Sequence, residues 1–463
     1  MGIKSLGNVI PVREGEKSLL LGVGYPLDDP GTVGLLSLPD SFRKGHFFCF
    51  GTTRIGKTRL LEAMVEQDIR NGHSVVVIDP KGDMGLFSKV VQVAFEEGRE
   101  EELMFLSPVF PEHSIRIDPL SHYFMPEEVV NHVISGIKAR EEFFINIAYE
   151  VSLIVVNSLI LFAKVRRRKP EINFQKIKDR ISYPDLKRLR EQLSSIHLPE
   201  AEEILSALDQ VLSSPQDYFS KVSSSLRTTL TALTTGNVGR VIGRVDKNRF
   251  IERLEAGKRV IVVVQTGSLL TRKAAHIIAR VFVSMVQSFI GRVFASGRAL
   301  DPPLCLYLDE AANVLYYGIE DLFSKAGGAN VWVHAFAQSV SDLVSEMWED
   351  YAYRILDNTN TKVFMRVNNP ETAKYVSDYA GTKRRFSPIL SLGGGVSVRE
   401  LEEPFLRPED AMNLREREFF LYTYSGAYRG KVVTVPEARV RVIFPSIDVM
   451  DGGGDEADAP CDS

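Results

Sequence analysis

Four short stretches hold the residues whose types and spacing could do chemistry, and each follows or contains an apolar run. The first is "GTTRIGKT", residues 51–58. Gly51 and Gly56 can adopt backbone angles closed to other residues. The amides of Gly51, Thr52, Thr53, Arg54, Ile55 and Gly56 can then turn inward around phosphates, at the positive end of the helix that follows. Lys57 would reach the β- and γ-phosphates of a nucleotide, and Thr58 would place its hydroxyl on Mg2+. In "PLCLYLDEAANV", 303–314, the strand-like run Leu304–Leu308 ends in two acids. Asp309 would hold the Mg2+ shell, and Glu310 would orient or deprotonate the attacking water. Two adjacent acids favour hydrolysis over simple nucleotide storage. "NVWVHAFAQS", 330–339, ends in Gln338, which could sense the γ-phosphate or be an ordinary polar residue at a strand end. In "SVVVIDPKGD", 74–83, a β-branched run leads into the turn Asp79–Asp83. Open α/β sheets bind ligands at that end of a strand; a structural turn is the alternative. ATP and Mg2+ are the ligands these residues imply.

Strands alternating with helices must position them. "HFFCF", 46–50, predicts a buried strand before the glycine loop. Leu60, Leu61, Met64, Val65 and Ile69 recur at helical spacing after it, and Asn71-Gly72 supplies a stop. Leu103–Leu106, Val260–Gln265, Lys362–Val367, Phe419–Tyr424 and Lys431–Val435 are further strand candidates, and a mainly parallel α/β sheet follows. The expected organisation is a leader with first strands (1–45), a discontinuous nucleotide-binding motor domain (46–120 and 246–445) and an all-helical insertion (121–245). An acidic, glycine-rich tail (446–463) is expected to be disordered. The stretch 381–414, with basic residues and a triple glycine, reads as a mobile loop leading into a short helical segment.

Composition narrows the class. A hydrophobic share of 44% and a charged share of 25% are those of an ordinary globular protein. With net charge −4, nucleic-acid binding has to use local patches. Cys49, Cys305 and Cys461 make no disulfide framework and suit a reducing cytoplasm. The histidines show no metal-ligand spacing. The first apolar run, Leu19–Leu21, is too short for a signal peptide. A long apolar segment from Phe143 is interrupted by Asn146, Glu150 and Asn157. A membrane span needs about 20 mostly apolar residues, so a buried helix is expected there. Arg166, Arg167, Arg168 and Lys169 precede Pro170. A solvated face is the default for such a run, and contact with DNA phosphates is the alternative in a nucleotide motor.

In order along the chain, "GTTRIGKT", "VVVIDPKGD", "LYLDEAANV", "AFAQS" and "SVRELEEPFLRPEDAMNL" resemble the conjugative coupling proteins of the TraD/TraG type. They are most similar to TraD-like proteins of integrating conjugative elements. The resemblance spans about residues 45 to 440. It implies a RecA-like P-loop NTPase with an inserted all-helical domain, assembled as a homo-hexamer and acting as an ATPase of the DNA-translocase kind. Implied partners are single-stranded DNA, the relaxase–DNA complex and a type IV secretion machinery at the cytoplasmic face of the inner membrane. By position Lys57 and Thr58 match the family's Walker A pair, Asp309 and Glu310 its Walker B pair, and Gln338 its glutamine motif. Two departures stand out. Family members usually begin with transmembrane helices, and none is read here, so a soluble member, a cytosolic fragment or a separately tethered protein is expected. Some members carry an arginine between Walker B and the glutamine; this chain has Lys325 there. Lys325, Arg354 and Arg384 are the candidates for a cation donated to a neighbouring subunit, and a chain that is monomeric in isolation is the corollary.

Two other readings compete: a substrate receptor that uses ATP to switch shape without pumping, and a DNA motor of the FtsK/HerA kind. The paired acids favour turnover over a pure switch. The "DPKGD" turn and the helical insertion favour the coupling-protein group over the other motor.

Overall fold

Runs such as Val75–Ile78, Ile261–Val264 and Leu304–Leu308 are apolar at every position because the sheet they build is covered on both faces. The computed structural model describes residues 6–444, apart from 139–141, 214–215, 244, 246–247 and 391–395. The tail read over 446–463, with Cys461, and the triple glycine lie outside the described residues.

The strands are β1 Ser18–Pro26, β2 Gly34–Pro39, β3 Phe47–Phe50, β4 Ser74–Asp79, β5 Leu103–Leu106, β6 Ile261–Gln265 and β7 Leu304–Leu308. They continue as β8 Val331–Ala337, β9 Thr361–Phe364, β10 Thr382–Leu390, β11 Val396–Pro404, β12 Glu418–Thr423 and β13 Gly426–Val432. An 11-stranded sheet has the order β2-β1-β13-β12-β9-β3-β8-β7-β4-β6-β5. From β9 to β5 every neighbouring pair is parallel. From β9 to β2 every pair is antiparallel.

Alternation along the strands divides the core. Phe47, Cys49, Val75, Val77 and Tyr307 face helices Lys57–Arg70 and Met84–Glu96. Phe48, Phe50, Val76, Ile78 and Leu306 face the other layer, which includes helices Pro126–Ser135, Glu142–Val165 and Arg272–Ala295. Helix Lys57–Arg70 buries Leu60, Leu61, Met64, Val65 and Ile69 against the first face. Each such side chain is worth roughly 1.5–3 kcal/mol of burial. Asn71 caps the helix and Gly72, at φ +78°, turns the chain out.

Between β5 and β6, which are sheet neighbours, the described residues form helices and no strand. An isolated bridge, Ile117 to Ile242, closes the base of this excursion. Two helices, Glu142–Val165 and Arg272–Ala295, are long and apolar enough to cross a membrane by length and composition alone. Half of the most apolar window of the first and 72% of that of the second is buried in the protein.

The structure corrects two expectations. Thr382–Leu390 and Val396–Pro404 are strands, not loop: β10 and β11 pair antiparallel, Thr382 opposite Pro404 through Leu390 opposite Val396. Cross-strand ion pairs Arg384–Glu400 (3.3 Å) and Arg385–Glu403 (3.4 Å) favour this register, which charge and glycine content masked in the sequence. The last strand also begins five residues before the expected Lys431, because Gly426 at φ +138° makes a tight hairpin with β12.

Candidate active site

Parallel strands end on the same edge, so residues just beyond the C-terminal ends of β3, β4, β7, β8 and β9 are brought together. The glycine loop follows β3. The Gly51 amide donates to the Ala337 carbonyl (3.2 Å) and the Thr52 amide to that of Arg366 (2.8 Å), tying the loop to the ends of β8 and β9. A Cβ on Gly51 would lie 2.9 Å from Met365 Cβ, so only glycine fits. Gly56 has φ +108° and caps the helix that Lys57 begins. Ile55 is buried, Thr52 and Thr58 are half-buried, and Thr53 and Arg54 are exposed, with Arg54 also in the left-handed region. Lys57 folds back over the loop, its Nζ donating to the Gly51 carbonyl at 2.6 Å.

Next to the loop, β8 and β7 present the glutamine and the acids. The Asp309 amide donates to the Ile78 carbonyl at 2.9 Å, holding this carboxylate beside β4. Glu310 has left-handed backbone, φ +47°. Both of its carboxylate oxygens are engaged: Oε1 accepts from Lys81 Nζ, and Oε2 accepts from Gln338 Nε2 at 3.2 Å. The structure thus brings Lys57, Asp309, Glu310 and Gln338 to one edge and joins the last two directly.

The turn after β4 is organised by Asp79. Its Oδ1 accepts from the amides of Lys81 (3.0 Å) and Gly82 (3.1 Å), and its Oδ2 accepts from the Asp83 amide and Gln265 Nε2. Asp79 is consumed by its own turn, and Lys81 reaches out to Glu310. Sequence reasoning quoted Lys81 without giving it a role; nothing local marks which acid it meets across 229 residues. Arg417 was missed altogether. It packs on Gly56 and its amide donates to the Ile55 carbonyl at 3.0 Å.

The charges at this edge are unbalanced. Burial, then the negative charges of Asp79 and Glu310, push the Asp309 carboxyl up to about 7. Burial also acts to raise Glu310, but Lys57 and Lys81 outweigh it and hold that carboxyl below the usual range. Lys57 is lowered by burial, partly offset by Glu310. Burial, together with two neighbouring acids, disfavours the charge on Asp309, and a divalent cation would offset both effects. With a phosphate cradle that a Cβ would fill, the residues fit a nucleotide and a divalent metal.

The candidates for a donated cation do not join this edge in the same chain. Lys325 pairs with Asp321 (2.8 Å) in helix Glu320–Lys325, which leads into the opposite, N-terminal end of β8. Arg354 lies over the Tyr351 ring at 5.2 Å, and Arg384 pairs on the β10–β11 hairpin.

A second polar cluster lies inside the sheet. Asp68, His73 and Cys305 place potential ligand atoms within 4.8 Å of one another. The Arg43 guanidinium already fills it, bonding Asp68 at 2.8 and 2.5 Å, His334 at 3.1 Å and Cys305 at 3.4 Å. His73 Nδ1 adds 3.0 Å to Asp68 Oδ1, and Tyr307 also donates to Asp68.

Two family models match. Residues 303–415 fit the "TraM recognition site of TraD and TraG", and residues 30–88 fit the "Type IV secretion-system coupling protein DNA-binding domain". Both models describe coupling proteins, and over those residues the chain is similar to coupling proteins of the TraD/TraG type. Among solved structures, the unbound conjugative coupling protein TrwB superposes with TM-score 0.66 at 15% identity, covering 92% of this chain and 90% of that one. TrwB in complex with ADP and Mg2+ gives 0.61 at 14% identity, covering 91% and 95%. VirB4 of Thermoanaerobacter pseudethanolicus gives 0.55 at 13% identity, covering 92% and 99%. The fold is therefore the RecA-like, P-loop type with a helical insertion. No curated protein sequence matches the chain.

Proposed function

We propose that this protein is an ATP-hydrolysing coupling protein that recruits single-stranded DNA with its relaxase and drives it to a type IV secretion channel. One observation carries the reading. Lys57, Asp309, Glu310 and Gln338 converge on the loop that Gly51 and Gly56 shape, at the C-terminal edge of a parallel sheet. The neighbours' bound ligands support the choice: TrwB is described with ADP and Mg2+ and with non-hydrolysable ATP and GTP analogues. Bound ATP would supply the phosphoanhydride that is split, and Mg2+ the charge that offsets it.

The chain's own residues then have separate tasks. The loop amides and Lys57 bind phosphates, and Thr58 and Asp309 hold the metal. Glu310 takes the proton of the attacking water, and Gln338 couples Glu310 to β8. The helices between β5 and β6, which share one core with a face of the sheet, are assigned to the side turned to the transfer machinery. Other basic residues of these helices are spent on structure, since Lys164, Lys176, Arg188 and Arg190 each pair with an acid. Arg166–Lys169 are exposed just past the end of helix Glu142–Val165, and we assign them to DNA phosphates.

The site is open beside Arg54 and Thr53, so a neighbouring subunit completes it and the working form is a homo-hexamer at the inner membrane. The test is ATP turnover with and without single-stranded DNA over a wide protein dilution series. Specific activity that rises with protein concentration and with DNA supports the reading. Turnover indifferent to both sinks the translocase assignment and leaves an ATP-switched receptor.

A further inference from the structure

We propose that Lys81 is a positioning residue that holds Glu310 when no nucleotide is bound and exchanges it for the terminal phosphate when ATP enters. This rests on the nucleotide reading of the site above. The geometry is particular. Asp79 locks the turn through three backbone amides and Gln265, so the position from which Lys81 extends is fixed while its side chain is half exposed. From there its Nζ contacts Glu310 Oε1, with Gln338 on the other oxygen.

A carboxylate with both oxygens engaged, one by a full positive charge, is a poor proton acceptor. In this arrangement the glutamate is restrained by Lys81 and Gln338. Releasing it requires something that Lys81 prefers. A terminal phosphate carries more negative charge than a carboxylate and would enter the edge that Lys57 and Lys81 flank. Lysine suits this exchange because its ammonium is a compact charge on a flexible stem, able to swap partners without a fixed fork. ADP, lacking that phosphate, leaves Lys81 on Glu310. The chain would thereby link the state of its base to the presence of the γ-phosphate within one subunit, where none of Lys325, Arg354 and Arg384 reaches.

The experiment is equilibrium binding of a non-hydrolysable ATP analogue and of ADP, each with Mg2+, to the full chain and to Lys81→Ala and Lys81→Arg. Wild type must bind both; if it binds neither, the nucleotide reading itself fails and this proposal with it. With binding established, Lys81→Ala should weaken the ATP analogue about tenfold, as expected for loss of one charge-assisted contact. ADP should change less than about twofold, which also reports that the variant is folded. Lys81→Arg should recover part of the ATP loss, since the charge is kept. Equal weakening of both nucleotides would mean that Lys81 only shapes the turn. No weakening of either would mean that the pair with Glu310 persists with ATP bound. Either result overturns the proposal.

Discussion

The two charged clusters beside the sheet put a buried aspartate to opposite ends. Around Arg43 every strong charge has a partner. The guanidinium and Asp68 are both fully buried and doubly bonded, with His73 and Tyr307 closing the rest of the carboxylate. Burial alone would raise the Asp68 carboxyl, but Arg43 and the bond from His73 hold it far below its ordinary value. At the strand ends the reverse holds: burial, and then the charges of Asp79 and Glu310, push Asp309 toward neutrality. The first cluster is closed and satisfied, the second open and short of positive charge. A group of ligating residue types is therefore a poor indicator of a site, and the indicator here is charge left uncompensated at an accessible edge.

The largest effect expected is at the open cluster. Glu310→Gln keeps shape and removes the base, so turnover should fall about 10²–10⁴-fold while nucleotide binding is largely kept. Single-turnover and binding measurements on one preparation decide this. Retained turnover would remove Glu310 from its role and blur the contrast between the clusters.

Arg43→Met should act only through stability. It strands the buried Asp68, at a cost of about 3–5 kcal/mol by denaturant unfolding. Nucleotide affinity of the protein that remains folded should be unchanged. An affinity loss larger than about threefold would show that the closed cluster is wired to the open one.

The pH dependence should separate the clusters further. Asp309 has a folded-state value above its unfolded one, so the folded form binds the extra proton and stability falls as pH rises from about 4 to about 7. Asp309→Asn should flatten that slope and stabilise the metal-free protein at pH 8 by about 2–4 kcal/mol. Asp68 behaves oppositely: its lowered value gives stability that is present above the unfolded range near 4 and lost only as the medium becomes strongly acidic. Thermal melts without metal check both slopes, from pH 4 to 8 for Asp309 and from pH 4 downward for Asp68.

The smallest effect is a null one. Zinc should give no change in melting temperature that depends on Cys305, because Arg43 occupies the place a metal would take among Asp68, His73 and Cys305. Stabilisation by zinc that vanishes in Cys305→Ser would overturn the description of that cluster as closed.

Much of this could be read along the chain, where the signal was local. The loop 51–58, the acids after "LCLYL" and the glutamine after "VWVHAFA" declared themselves because a strand of apolar residues must end in a polar one, and the loop needs glycine for its backbone angles. Their convergence also followed from parallel order, since parallel strands share an edge. The hairpin β10–β11 was hidden because its pairing depends on residues of alternating charge that look like a loop one strand at a time. Arg417 was hidden because its contact with Gly56 uses backbone and stem rather than any recognisable side-chain chemistry.

By itself, then, the sequence determined the alternation of strands and helices, the glycine loop and the identities of the acid pair and glutamine. These are fixed by neighbours within a few positions, through periodicity and backbone freedom. Only the tertiary structure decided what each charge faces. Lys81 meets Glu310, Asp79 turns inward to its own amides, and Arg43 fills the space among Asp68, His73 and Cys305. The physical reason is that electrostatic energy depends on distance and burial in space, and contacts between residues far apart in the chain leave no mark on either partner's local sequence.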